Sequence, residues 1–315
     1  MINSLFDIET FLNNLPNDIE IIDVSNKGIK VLPDLFRFTN LKKLYCKQNC
    51  LKVLPALNIN LKDLDCSDNE LTSLPELNEN LEMLICYHNR LTSLPCLNKN
   101  LKILNCSFNQ LNFLPQLNKN LEILRCFHNK LFSLPSLNKN LKYLNCSYNR
   151  LNSLPVLNKN LEQIFSSNNE LICLPQLNKK LKSLNCCKNK LFSLPSLNKN
   201  LEYLNCVRNN LVSLPCLNKN LIQLDCSHNL LTSLPILNEN LLKLDCMNNK
   251  IIYLPILNKK LKCLLLFNNP VFESQPILIN PYLSQNLISL INSNNIEFIL
   301  QTFNVLEDDY LISKW

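Results

Sequence analysis

From Leu41 onward the apolar residues fall at the same places in every successive block of twenty: the first, fourth, sixth, eleventh, fourteenth and seventeenth. Leu41, Leu61, Leu81 and their equivalents to Leu261 open units of the form LxxLxCxxNxLxxLPxLNxN. Twelve units fill 41–280, the last decaying after Val271. A thirteenth, two residues longer, precedes them and carries Ile19, Ile22, Val24, Ile29, Leu32, Pro33 and Leu35 at the equivalent places. A fixed period of this length predicts a solenoid, in which each unit touches only its neighbours and the surface serves as a binding platform.

The unit 141–160, LKYLNCSYNRLNSLPVLNKN, shows how one period predicts one coil. Alternation around Leu144–Cys146 predicts a short strand, and stacked units then form a parallel sheet with strands about 4.8 Å apart. Leu154, Pro155 and Leu157 return the chain along the outer side. Eleven successive units, from Pro55 to Pro255, carry proline there. Proline fixes φ and lacks a backbone donor, so the convex side is expected to be extended, polyproline-like chain. Six inward side chains per unit supply roughly 1.5–3 kcal/mol each, similar to or below the entropy of ordering the unit. No unit is expected to fold alone.

The ninth position is asparagine in all twelve units, Asn49 through Asn269. Its amide can bond backbone where the strand ends, and neighbouring asparagines can form a ladder. The Asn-x-Asn near each unit's end, such as Asn98 and Asn100, fits the turn into the next strand, since asparagine tolerates left-handed backbone. Residues 1–18 read as an N-terminal cap with a short helix, and 19–275 as the solenoid. Residues 276–315, with Leu283, Leu287, Leu290 and Ile291 on one apolar face, read as a helical C-terminal cap.

Composition narrows the function. A single glycine, Gly28, leaves no P-loop, dinucleotide fingerprint, kinase loop or nucleophile elbow. The chain is therefore expected to be non-enzymatic, with no cofactor and no metal. It shows no signal peptide and no apolar run long enough to span a membrane, so an intracellular, cytoplasmic monomer with reduced thiols is expected. Ten of the sixteen cysteines occupy the sixth position, from Cys46 to Cys246, where Val24, Ser166 and Leu266 substitute elsewhere. They read as small buried hydrophobes rather than metal ligands or disulfides. Cys187, at the seventh position, is expected to be exposed on the concave face and the most reactive thiol.

Positions three, five, seven and eight are expected to face outward from the concave sheet. Large side chains concentrate there in the middle of the chain: Tyr87, Phe108, Arg125, Phe127, Tyr143, Tyr148, Phe165 and Tyr203. His88, His128 and His228 all fall at position eight. Exposed aromatics with nearby Arg and His are typical interface anchors, so these residues, with His88 and His128, are the candidate partner-binding set. His88 and His128 lie two units apart, roughly 10 Å, too far for a shared metal. Position two alternates Glu82, Lys102, Glu122, Lys142, Glu162, Lys182 and Glu202, which places opposite charges on neighbouring strands. Position nineteen carries a row of lysines, Lys99 to Lys219 and Lys259, interrupted by Glu239. Such a row could meet phosphates or an acidic protein. Without interleaved aromatics or arginine it reads first as solubility and edge protection, with anionic-ligand binding the weaker alternative. The net charge of +7 permits an anionic partner without requiring one, and no specific nucleic acid is expected.

The segment LxxLxCxxNxL, read with LPxLNxN, resembles the leucine-rich repeat superfamily over roughly 19–275. The short unit and its LP step look like the bacterial effector class. The Cys-, Asn- and Lys-rich version looks similar to the leucine-rich repeat proteins of giant DNA viruses that infect amoebae. The resemblance implies an α/β-type solenoid: a parallel sheet on the concave face, an extended convex face, and a protein partner bound on the concave side, in the host cytoplasm if viral. Some bacterial relatives carry a C-terminal ubiquitin-ligase domain with a catalytic cysteine. The roughly forty residues after the repeats here contain no cysteine, so that activity does not carry over. Some relatives carry an N-terminal F-box, and Leu15, Pro16, Ile19 and Ile22 faintly match its start. This leaves a second reading, a substrate-recognition adaptor of a ubiquitin ligase.

Overall fold

The computed structural model describes residues 6–271. Thirteen three-residue strands, from β1 (Ile21–Asp23) and β2 (Lys43–Tyr45) to β13 (Cys263–Leu265), form one parallel sheet in strict chain order. Registry follows the repeat, with Leu104 opposite Leu124 and Leu124 opposite Leu144. Every strand buries its middle residue. Most leave the flanking two half-covered on the outward face, while others, such as β11 (Gln223–Asp225) and β12 (Lys243–Asp245), bury the third residue as well. Positions one, four, six and eleven are buried without exception from Leu41 to Ile251. They form one continuous core that runs the length of the coil. The return segments carry no helix; their sole pairing is the bridge Ser233–Tyr253. Proline at each return explains this, because it denies both a helix interior and a second ladder.

Helix occurs at the N-terminal end, where α1 spans Ile8–Asn13 and the side chain of Asp7 caps it by accepting from the Glu9 and Thr10 N–H groups. Leu12 is buried, and Phe6, Ile8, Phe11 and Leu15 pack on the first coil. Arg37 donates to the Leu12 carbonyl. The helical C-terminal cap expected over 276–315 lies outside the described residues. The α/β expectation is thus corrected over the described solenoid, which is strand and extended chain.

Asparagine ladders supply the polar half of the stacking. Asn109 Nδ2 donates to the Cys86, Cys106 and Ser107 carbonyls at 3.0–3.1 Å, and its Oδ1 accepts the Leu91 N–H at 2.9 Å. The same set recurs along the column, for example at Asn189, whose Oδ1 accepts the Leu171 N–H. Net, each bond contributes about 1 kcal/mol, while an unsatisfied buried partner costs more. A second ladder secures the turns: Asn100 Nδ2 donates to the Glu79 carbonyl at 2.7 Å, and Asn98 Oδ1 accepts the Leu101 N–H at 2.8 Å.

The left-handed backbone does not fall at the Asn-x-Asn turn as expected. It falls at position eight, where all residues from Gln48 to Asn268 hold φ between 50° and 55°. There the chain must swing position nine inward while the position-eight N–H still reaches the next rung, as in Phe108 N to Phe127 O at 2.9 Å. The Asn-x-Asn turns close by side-chain bonds and need no such conformation.

Candidate interaction site on the strand face

Where position five is Asn or Asp, its Oδ1 accepts the N–H two residues on, as in Asn105 to Ser107 at 3.2 Å and Asn145 to Ser147 at 3.1 Å. In these two units position seven is a small, buried residue, Ser107 and Ser147, whereas Val207 and Met247 after Asn205 and Asp245 are half-buried. Five described units lack an Asx at position five; in 81–100 and 121–140 Ile85 and Arg125 stand there, and Tyr87 and Phe127 replace the serine at position seven. The two departures lie forty residues apart, and each is followed by histidine.

Stacking brings these residues together. The ring centroids of His88 and Phe108 lie 4.3 Å apart, those of Phe108 and His128 4.4 Å, and those of His128 and Tyr148 4.1 Å. The last two pairs are nearly parallel, at 10° and 11°. Tyr87 meets His88 edge-on at 5.8 Å, and Phe127 meets Phe108 at 5.1 Å. Six of the ten candidate residues therefore form one aromatic ladder across four successive rungs. Phe108 stands between His88 and His128. A neighbouring group on the strands joins Arg125 over Tyr143 at 4.9 Å and Tyr143 to Phe165 at 5.5 Å. Tyr203 is exposed but stands apart from both groups.

All four rings of the stack sit in the left-handed conformation: His88, Phe108, His128 and Tyr148 have φ of 50–53°. Asn and Asp tolerate this region, and they occupy the same column at Asp68, Asn168, Asn248 and Asn268. A bulky ring there carries strain of order 1–2 kcal/mol, offset by ring pairs worth about 0.5–1.5 kcal/mol each. The column reads from acidic through aromatic to basic: Asp68, the four rings, Asn168, Lys188 and Arg208. His88 Nδ1 lies 3.3 Å from Asp68 Oδ1, and burial raises the Tyr87 phenol above its ordinary range. Burial, helped by Arg208, lowers His228, which stands four rungs beyond Tyr148 with Asn248 at 3.2 Å from its Nε2.

Two features of the same face were not legible as chemistry in the sequence. Asp225 and Asp245, adjacent on β11 (Gln223–Asp225) and β12 (Lys243–Asp245), are both buried, and burial raises both carboxyls. Their Asx pattern was the available signal, masked by five exposed-looking relatives in the same column. Cys187 is the second: it is 5% exposed, which corrects the expectation of an accessible thiol. A small side chain at position seven sinks between the rungs, as the serines do, and its N–H is held by Asn185.

All sixteen cysteines are free. The sixth-position thiols do more than fill space: Cys126 Sγ donates to the Asn145 carbonyl at 3.5 Å and Cys226 Sγ to Asp245 at 3.3 Å. Ser166 makes the equivalent bond at 3.3 Å, which explains its place in the ladder. Burial pushes the thiols up, to about 12 at Cys46, Cys106 and Cys146. No group of three potential ligands among the described residues could hold a metal ion, and no described helix is long and apolar enough to cross a membrane.

No family model matches the chain, and no curated protein matches it. Solved structures do. YopM from Yersinia enterocolitica superposes with a TM-score of 0.73 at 33% identity, over 80% of this chain and 60% of that one. The fold is of the leucine-rich-repeat type. YopM of Yersinia pestis, described as a leucine-rich effector protein, gives a TM-score of 0.52 at 26% identity, over 79% of this chain and 88% of that one. The functional domain of InlJ from Listeria monocytogenes, described as including a cysteine ladder, gives 0.52 at 25%, over 78% of this chain and 68% of its own. The likeness to bacterial effector repeats thus extends to structure, whereas the similarity to giant-virus repeats rests on composition alone. This leucine-rich-repeat chain spans 60% of the length of the first of these relatives.

Proposed function

We propose that this solenoid is a non-catalytic, intracellular protein-interaction scaffold whose partner docks on the aromatic ladder of the strand face. The observation that carries the reading is the strained stack itself. Nothing in the coil requires rings at position eight, since Asn fills it elsewhere at lower cost. Four such rings in succession, edged by Tyr87 and Phe127, form an amphipathic anchor of the kind that dominates protein interfaces. Arg125, Tyr143 and Phe165 extend it along the strands. The adaptor reading gains no support from residues 6–18, whose apolar side chains are spent on packing the first coil.

Phe108→Asn tests this cleanly. Three ring contacts at about 0.5–1.5 kcal/mol each outweigh the roughly 1–2 kcal/mol of left-handed strain relieved, so stability should fall by about 1–2 kcal/mol with the coil intact. A photo-crosslinker placed at Tyr148 should trap one host protein in the otherwise native chain, and Phe108→Asn should weaken that capture tenfold or more. Phe192→Asn, at an exposed site on the return side, should leave it unchanged. Equal capture by all three forms would sink the proposal.

A further inference from the structure

The chain's positive charge is not spread evenly. Along position two the ions neutralise one another: Lys62 and Lys102 both reach Glu82, at 3.7 and 2.5 Å, and Lys142 reaches Glu122 at 2.7 Å. Along position ten Arg90 pairs with Glu70 and Lys190 with Glu170. Position nineteen is different. Lys99, Lys119, Lys139, Lys159, Lys179, Lys199 and Lys219 occupy seven successive rungs, every one exposed. Lys99 meets Glu79 at 2.6 Å at one end, and the six that follow have no acidic partner. From residue sixteen to twenty of each of these units there is no carboxylate, while Lys180 adds a further cation.

The row is also held in position. The carbonyl of every lysine but Lys159, where Lys180 replaces the asparagine, accepts the amide of the asparagine one rung on: Asn120 to Lys99 at 2.9 Å, Asn160 to Lys139 at 2.8 Å, Asn240 to Lys219 at 2.9 Å. The result is a backbone rail about 29 Å long, six strand spacings, with one ammonium per rung. In water, unit charges closer than about 7 Å repel by more than thermal energy. A row at a rung spacing of about 4.8 Å therefore gathers counter-anions.

We propose that this rail is a second interaction surface, distinct from the aromatic ladder, which takes the phosphate backbone of a nucleic-acid duplex without reading its sequence. A duplex is a rigid polyanion, so it meets a preformed line of charge with little ordering entropy to lose, and both partners release condensed ions on contact. Lysine supplies charge without the bidentate fork that reads bases. The strip offers no aromatic or arginine anchor of the sort that gives an acidic protein its affinity. It is a line rather than the broad patch a membrane surface would engage.

The experiment uses the full chain and a fluorescein-labelled 20-base-pair DNA duplex, followed by anisotropy between about 50 and 200 mM NaCl. With four to six lysines engaged, log K should fall with log salt at a slope near −4 to −5. Replacing Lys119, Lys159 and Lys199 by Gln should lower the slope by nearly three and weaken scrambled sequences equally. The same charge change in the self-neutralised row, Lys102, Lys142 and Lys182 to Gln, should move the slope by less than one. Phe108→Asn should leave it unchanged, which separates this surface from the ladder. Absence of binding at 50 mM salt, equal losses for both triple variants, or stronger capture by phosphatidylserine vesicles that duplex DNA fails to displace would each overturn it.

Discussion

At the scale of the residue, the coil sorts chemically identical side chains by column. Cysteine at position six is sealed, and at Cys126 and Cys226 among others donates its S–H to the next rung, while Cys50, Cys96, Cys173 and Cys216 are exposed. In the folded protein these four thiols should therefore label with maleimide within minutes. The ten ladder thiols and Cys187 should react only on unfolding, and partly covered Cys263 should lag behind the four. Rapid labelling of Cys187 would show that position seven is open. Phe108 illustrates the opposite case, a residue type poorly suited to its backbone conformation and retained with three ring neighbours.

At the scale of the element, neighbouring strands decide ionisation. Asp225 and Asp245 face each other across β11 and β12, and desolvation raises them to about 6 and about 7. Their folded values lie above the unfolded one, so the folded form holds the extra protons. The contribution of the pair to stability is thus complete below about pH 4 and lost as pH rises through 6 to 7. Asp23, Glu79 and Glu82 are shifted the other way by hydrogen bonds from Ser25, Lys99 and Lys102, so their contribution is present above about pH 4.5 and lost only as pH falls below it. Asp245→Asn should raise stability at pH 8 by on the order of 2–4 kcal/mol and flatten its decline between pH 5 and 8, read by urea denaturation. Asn already fills this column at Asn145, Asn185 and Asn205 and bonds position seven in the same way, so the substitution keeps the turn.

At the scale of the whole molecule, the solenoid has no centre, and its units are interchangeable wherever the columns continue. Removing residues 201–220 joins unit 181–200, ending at Asn200, to Leu221 with every column in place. That deletion should fold, lower the thermal midpoint by about 2–6 °C, and retain capture at the aromatic ladder. Removing only 201–210 should lower the midpoint followed by circular dichroism far more, because Pro215 then falls in the strand at position five and Lys219 in the asparagine column. Two surfaces then emerge from one repeated backbone: rings on the strand face, and lysines along the turns.

The coil, its strands, its buried columns and its asparagine ladder were legible in the sequence because each unit is surrounded by near-copies of itself. Under that condition a local pattern already describes its tertiary environment. Eight of the ten residues singled out on the strand face fall in two ring groups as the strands stack, with Arg125 joining one of them. What only the tertiary structure decided depends on contacts between rungs, twenty residues apart in the chain. The left-handed turn sits at position eight because position nine must point inward, a demand set by carbonyls of the previous coil. Cys187 is buried because small neighbours let it sink. The lysine row is uncompensated because its carboxylates lie in other columns. Strand stacking, not local preference, brings these groups to a few ångströms from one another.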